Sequence, residues 1–170
     1  MTLRLVALTA AVVLATSPSQ AQAPDSMHMQ HMHGVESRGD RAMGFSHAST
    51  MHRFVLYKDG GAIVVTAKDA SDSASIQHIR THLPHVAHSF AQGDFSMPMF
   101  IHDQVPPGVP TMKKLRQKID YAYESIATGG RVRISTKDKK ALAAVHDFLR
   151  FQIKDHATGD PLEVQVDPGK

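Results

Sequence analysis

The chain has 170 residues, a formal net charge of +3, twelve histidines, nine methionines and neither cysteine nor tryptophan. Without cysteine there can be no disulfide, thiolate metal site, c-type haem attachment or cysteine nucleophile. The charge is only weakly basic and no basic patch is interleaved with aromatics, which argues against a nucleic-acid partner.

At the N-terminus, Arg4 precedes an apolar run over 5–15 that is too short to span a bilayer, and small residues follow at Ser17, Ser19 and Ala21. Residues 1–21 are therefore expected to be a signal peptide, cut after Ala21. Nothing later in the chain has the length and hydropathy of a membrane span. A periplasmic address is the expectation, with outright secretion second.

Residues 22–50 show neither hydrophobic period and are expected to form a disordered tail. That tail holds the run Met27-His28-Met29-Gln30-His31-Met32-His33. Imidazole is the commonest protein ligand for first-row transition metals, and thioether is a soft donor that selects copper(I). The six donors Met27, His28, Met29, His31, Met32 and His33 are accordingly candidate metal ligands, with copper the favoured ion and zinc the second.

A single domain is expected over 51–170. Short β-prone runs at 54–57 and 62–66 flank Lys58-Asp59-Gly60-Gly61, a hairpin pattern. A helix should follow, since Ile76, Ile79, Leu83, Val86 and Phe90 recur at steps of three and four. Asp69, Ser71 and Asp72 offer capping oxygens before it, Gly93 stops it, and Pro84 should kink it near His82. Residues 94–110 hold four of the nine prolines and read as an irregular rigid loop, followed by a short basic helix over 111–118. A second hairpin spans 121–126 and 131–136, and a last helix runs over 139–156.

Displacing the chain by 69 residues lays Phe54 on Tyr123, Gly60-Gly61 on Gly129-Gly130 and Lys68-Asp69 on Lys137-Asp138. Two repeats, about 54–93 and 121–159, each strand–turn–strand–helix, are expected. They predict a two-layer α+β domain whose four-stranded antiparallel sheet carries both long helices on one face. The other face, with Val64, Thr66, Glu124, Arg131 and Arg133, is expected to be solvated.

Two further donor groups lie in the domain. At about 100° per residue, His78, His82 and His85 share one side of the first long helix, away from its apolar stripe, with His88 further round. Met97, Met99 and His102 lie within six residues of the proline-rich segment. Folded over the helix, this segment would join His82 and His85 in a mixed imidazole–thioether site suited to copper. His146 and His156 on the last helix read as structural. No GxSxG, P-loop, HExxH or glycine-rich dinucleotide motif occurs, so no enzyme class is indicated.

The strings Met43-Gly44-Phe45-Ser46-His47, Pro98-Met99-Phe100-Ile101-His102, Pro106-Pro107-Gly108-Val109 and His146-Asp147-Phe148-Leu149-Arg150-Phe151-Gln152-Ile153 resemble a group of small exported proteins of Gram-negative bacteria. The resemblance spans roughly 43–164 and implies a class and a compartment without an activity. In that group two adjacent histidines precede the first strand, where this chain has His52-Arg53.

The reading is a periplasmic metal-binding protein that sequesters or delivers copper through its tail and a site in the domain. The rival is a protein-interaction or small-ligand module of the envelope, with a periplasmic protein partner. Metal-activated water chemistry and non-covalent haem on a histidine pair are further readings of the same side chains.

Overall fold

The computed structural model describes residues 25–167 apart from Phe45, with the side chains of residues 25–28 not described. The signal-peptide expectation lies outside the described residues. The elements in chain order are α1 (Asp25–Met43), β1 (Thr50–Tyr57), β2 (Gly60–Ala67), α2 (Ser73–Ala91), α3 (Ser96–His102), α4 (Val109–Lys114), a single 3₁₀ turn (Arg116–Lys118), β3 (Ile119–Ile126), β4 (Gly129–Thr136) and α5 (Lys139–Asp155). Among the described residues no helix is long and apolar enough to cross a membrane.

The four strands form one antiparallel sheet in the order β1-β2-β4-β3. The bounds of β3 and β4 are those of β1 and β2 displaced by 69 residues, as the repeat requires. The two hairpins meet along β2 and β4, where Ile63 lies opposite its own repeat equivalent, Val132. A local two-fold axis therefore passes through that pair. Each long helix packs mainly on the other repeat's strands: α2 on β3 and β4, α5 on β1 and β2. Neither repeat can then bury its apolar face alone, and the domain has one shared core.

That core is built from alternate strand positions (Phe54, Leu56, Ile63, Val65, Val132, Ile134) and helix positions three and four apart (Ile79, Leu83, Val86, Phe90 on α2; Ala141, Val145, Phe148, Leu149 on α5). Phe90 stacks on Phe95 at 4.5 Å, and both meet the edge of Phe148. Of the three oxygens offered ahead of α2, Asp72 is the cap, accepting from Ser75 N at 3.0 Å. Asp138 caps α5 through Lys140 N and Ala141 N. At Gly61 an added Cβ would lie 2.2 Å from Leu149 Cδ1 and 2.4 Å from the Val55 carbonyl oxygen, so glycine is what lets α5 sit on the sheet.

Two expectations need correction. The proline-rich segment is only partly irregular: it forms α3 and the start of α4, and residues 103–108 between them, with Pro106 and Pro107, are irregular. Pro98 and Pro110 stand in first turns, where the missing N–H has no helical acceptor to lose. The segment over 22–50 contains the nineteen-residue helix α1. Its composition is too polar to show a hydrophobic period, yet Val35 is fully buried and Arg38 Nε donates to the Ile101 carbonyl at 2.7 Å, which tethers α1 to α3. The expected first long helix is α2, with Pro84 inside it.

The far face of the sheet is also less open than expected. Arg133 is only 8% exposed, because Asp59, Asp167 and the ring of Tyr57 enclose its guanidinium. Asp167 belongs to a C-terminal segment that follows the outer edge of β1. There the Asp160 carboxylate accepts from Phe54 N at 2.9 Å, and Gln165 N donates to the Leu56 carbonyl at 2.7 Å. The outer edge of β1 is thereby partly covered from within the chain, at Phe54 and Leu56.

Candidate functional site

The helical spacing that puts His78, His82 and His85 on one side of α2 turns them toward the C-terminal end of α1. The three imidazoles, Thr81, Met43 and Gly44 line an open groove of about 260 Å³. His78 and His85 are exposed and His82 is half-buried. Burial, helped by the neighbouring His85, holds His82 below the ordinary histidine pKa. Among the described residues no carboxylate lines the groove. It therefore offers neutral nitrogen and thioether donors, a set that suits a soft, singly charged ion better than a hard dication. In the sequence Met43 belongs to the Met43-Gly44-Phe45-Ser46-His47 string and has no donor spacing that ties it to the ladder. Its place opposite the ladder depends on the path of α1, which local pattern does not encode.

A second cluster lies on the other side of Met43. β1 alternates, so His52 shares the inward face with Phe54 and Leu56, and α5 ends with His156 directed at the same place. Their rings stack at 6.1 Å and 13°, and His156 also contacts Phe54 at 5.4 Å and the edge of His102 at 5.0 Å. Burial first, and nearby imidazoles second, push His52 down to about 4 and His156 down to about 3, so both are neutral at pH 7. His102 is 2% exposed; its Nδ1 lies 2.5 Å from Asp155 Oδ2 and its Nε2 2.9 Å from Gln152 Oε1. Both nitrogens are thus engaged, and His102 has no lone pair free for an ion in this arrangement.

These histidines stand at one side of a half-open cavity of about 90 Å³, between α1 and the core. Leu83, Val86, Phe90 and Phe148 supply its apolar walls, Met43 and Met97 add thioethers, and Glu36 and Asp40 stand at its rim. Both rim carboxylates face His47, at 3.3 and 2.9 Å. Asp155 holds α1 as well, since its Oδ1 lies 2.9 Å from His31 Nε2. Burial alone would raise the Asp155 pKa, but the hydrogen bonds from His102 and His31 outweigh it and leave the carboxyl below its ordinary value.

The donors expected to form one site are thus divided. His78, His82 and His85 come together in the groove. Met97 and His102 border the cavity, whereas Met99 is half-buried and lines neither. In α1 the donors Met29, His31, Met32 and His33 span more than one helical turn and so do not all share one side. Met29, Met32 and His33 share a side by spacing, and His31 is committed to Asp155. The side chains of Met27 and His28 lie outside the described residues. Among the described residues no three His, Asp or Glu side chains are placed to hold a metal ion by themselves.

His52, His156, Gln152 and Asp155 were not among the expected ligands. His52 was detectable, because period-two alternation puts it on the Phe54 face. His156 was read as a structural helix end, and its backbone does close α5 on the Gln152 carbonyl. The structural reading of His146 agrees with its position, where Nε2 lies 2.9 Å from the Tyr57 carbonyl and 3.0 Å from that of Gly60, across the first hairpin turn. Comparison with family models, with curated proteins and with solved structures returned no match.

Proposed function

We propose that this protein binds a soft metal ion, copper(I) first and zinc second, in the groove between α1 and α2, and that it sequesters or delivers the ion in the cell envelope. The observation that supports this reading is the placement of the Met43 thioether in one groove with His78, His82 and His85. Adjacent ladder rungs supply two imidazole nitrogens to one ion, and the thioether supplies the soft third donor that favours copper(I). Met29 and His33, exposed on one side of α1 with the half-buried Met32 between them, serve as an accessory surface that collects ions at lower affinity.

Met43→Leu tests the thioether, since leucine keeps the side-chain volume and costs little in packing. Copper(I) affinity should fall about tenfold, the worth of one moderate ligand interaction, while zinc affinity and the melting temperature stay near those of the parent. Unchanged copper(I) affinity in this variant would remove Met43 from the site.

A further inference from the structure

The two repeats are alike in backbone and unlike in charge. Residues 111–118 and 137–140 hold seven of the chain's nineteen lysines and arginines and one of its sixteen acids, so these twelve residues carry +6 and the rest of the chain −3. The fold brings both segments to one end of the sheet. Lys118 Nζ reaches Asp138 Oδ2 at 2.7 Å, and Thr136 Oγ1 donates to the Lys118 carbonyl at 2.6 Å. Lys113, Lys114, Arg116, Lys118, Lys137, Lys139 and Lys140 are all exposed. Asp138 is spent on Lys118 and the α5 cap. Asp94, close enough to Lys113 to feel its charge, and Asp120 stand exposed at the margin. With these three acids counted against the seven cations, the surplus is still +4.

The repeat supplies an internal control. The turn before β3, closed by Lys118 N on the Leu115 carbonyl at 2.8 Å, is matched 69 residues earlier by Ser49 N on the Ser46 carbonyl at 3.1 Å. At that symmetry-related end the seven positions are Gly44, Phe45, His47, Ser49, Lys68, Ala70 and Ser71, with one lysine among them. The fold therefore does not require the cations. Two of them oppose it, because Lys139 and Lys140 open α5, where the positive end of the helix dipole disfavours positive charge. Crowding like charges at one end of a small domain is a cost that a mixed solvated face avoids.

We infer that this end of the domain docks on an anionic phospholipid surface, its lysines meeting the lipid phosphates. The side chains favour lipid over protein or nucleic acid. Six of the seven cations are lysine, and no aromatic occurs in the two segments. Protein interfaces are depleted in lysine and enriched in arginine and aromatics, and nucleic-acid single strands are held by stacking on aromatics. A lysine is a compact point charge that needs no fixed partner geometry at an anionic bilayer. The inference rests on charge placement and not on the metal groove, which lies at the symmetry-related end with Met43 and Gly44.

The test is co-sedimentation of the full chain, with chelator present, on vesicles of phosphatidylcholine alone and with phosphatidylglycerol added. Phosphatidylcholine alone reports whatever the apolar run over 5–15 contributes. At about 0.1 M salt the mixed vesicles should bind more tightly, and the difference should vanish at about 1 M, where the Debye length is about 3 Å. Lys113→Gln/Lys140→Gln takes one cation from each segment. It should weaken that binding about twentyfold, at about fivefold per lysine, with an unchanged circular dichroism spectrum. Lys68→Gln/Lys154→Gln removes the same charge elsewhere: Lys68 is at the symmetry-related end, and Lys154 is about 21 Å along α5 from Lys140. This variant should stay within about threefold of the parent, because charges beyond a Debye length are screened. Equal binding to both vesicles, or equal loss in the two double variants, would overturn the inference. Tighter capture by a DNA duplex than by the mixed vesicles would overturn the lipid assignment.

Discussion

His31 of α1 and the buried His102 of α3 share one carboxylate: the two oxygens of Asp155 lie 2.9 Å from His31 Nε2 and 2.5 Å from His102 Nδ1. The last turn of α5 is therefore the fixed point to which both are tied. Asp155→Asn should loosen both contacts at once. Losing a charged partner inside a half-buried hydrogen-bonded set costs about 1–3 kcal/mol, so the urea midpoint should fall. Cleavage by trypsin at Arg38 and Arg41 should quicken more than cleavage in the strands. Unaltered proteolysis of α1 would show that its position does not depend on Asp155.

Acid should destabilise the protein well before its carboxylates titrate. His52 and His156 have folded pKa values near 4 and 3, below the unfolded value of 6.5. Between those limits the unfolded state binds more protons, so stability is fully present above about pH 6.5 and is lost as pH falls toward the folded values. At pH 5 the loss approaches about 2 kcal/mol per histidine as a ceiling. Urea melts at pH 7.5, 6 and 5 should show a falling midpoint. A midpoint that is flat over this range would mean that the two rings are solvated.

Gly61 bears on how closely α5 approaches the sheet. Its missing Cβ leaves room for Leu149 Cδ1 and the Val55 carbonyl, at 2.2 and 2.4 Å from where that atom would stand. Gly61→Ala should cost at least about 2 kcal/mol through overpacking against backbone that cannot yield. The repeat-equivalent Gly130 meets the ends of two side chains instead, Tyr123 Cε2 at 2.8 Å and Leu83 Cδ1 at 3.1 Å. Gly130→Ala should be milder, and calorimetry of the pair would show whether the two-fold extends to energetics.

The Asp160 contact with Phe54 N protects an edge strand. Asp160→Ala removes that bond and the ion pair to Arg53 at 3.0 Å, and should free the C-terminal segment from β1. Exposed strand edges pair with other chains, so size-exclusion chromatography should show concentration-dependent association that the parent lacks. A variant that remains monomeric at high concentration would argue that Gln165 and Asp167 suffice to cover the edge.

The strands and long helices were legible because their signals are local. Ile63 and Val65 alternate, Ile79, Leu83, Val86 and Phe90 follow the helical period, and Gly60-Gly61 and Gly129-Gly130 punctuate the hairpins. The 69-residue repeat then predicted the sheet, since equivalent strands of two hairpins can meet about a two-fold axis. The site was only partly legible for the opposite reason. The ladder of His78, His82 and His85 is set by one helix and was visible. Met43 reaches it through tertiary placement of α1, which among its described side chains has Val35 as its fully buried apolar anchor. Proline density suggests an irregular loop around Pro98 and Pro110, although a proline in a first turn starts a helix as readily as it ends one. His52 and His156 meet from opposite ends of the domain, a contact that no spacing rule reaches.

The copper claim is tested most directly by competition for copper(I) against a chromophoric chelator, with the parent chain beside a His82→Ala/His85→Ala variant. The account predicts that the parent removes copper(I) from the chelator at micromolar concentration or below. The double variant should lose the tight component and keep only weak binding on α1, with its circular dichroism spectrum unchanged. A parent chain that fails to compete, or a double variant that competes equally well, would contradict it.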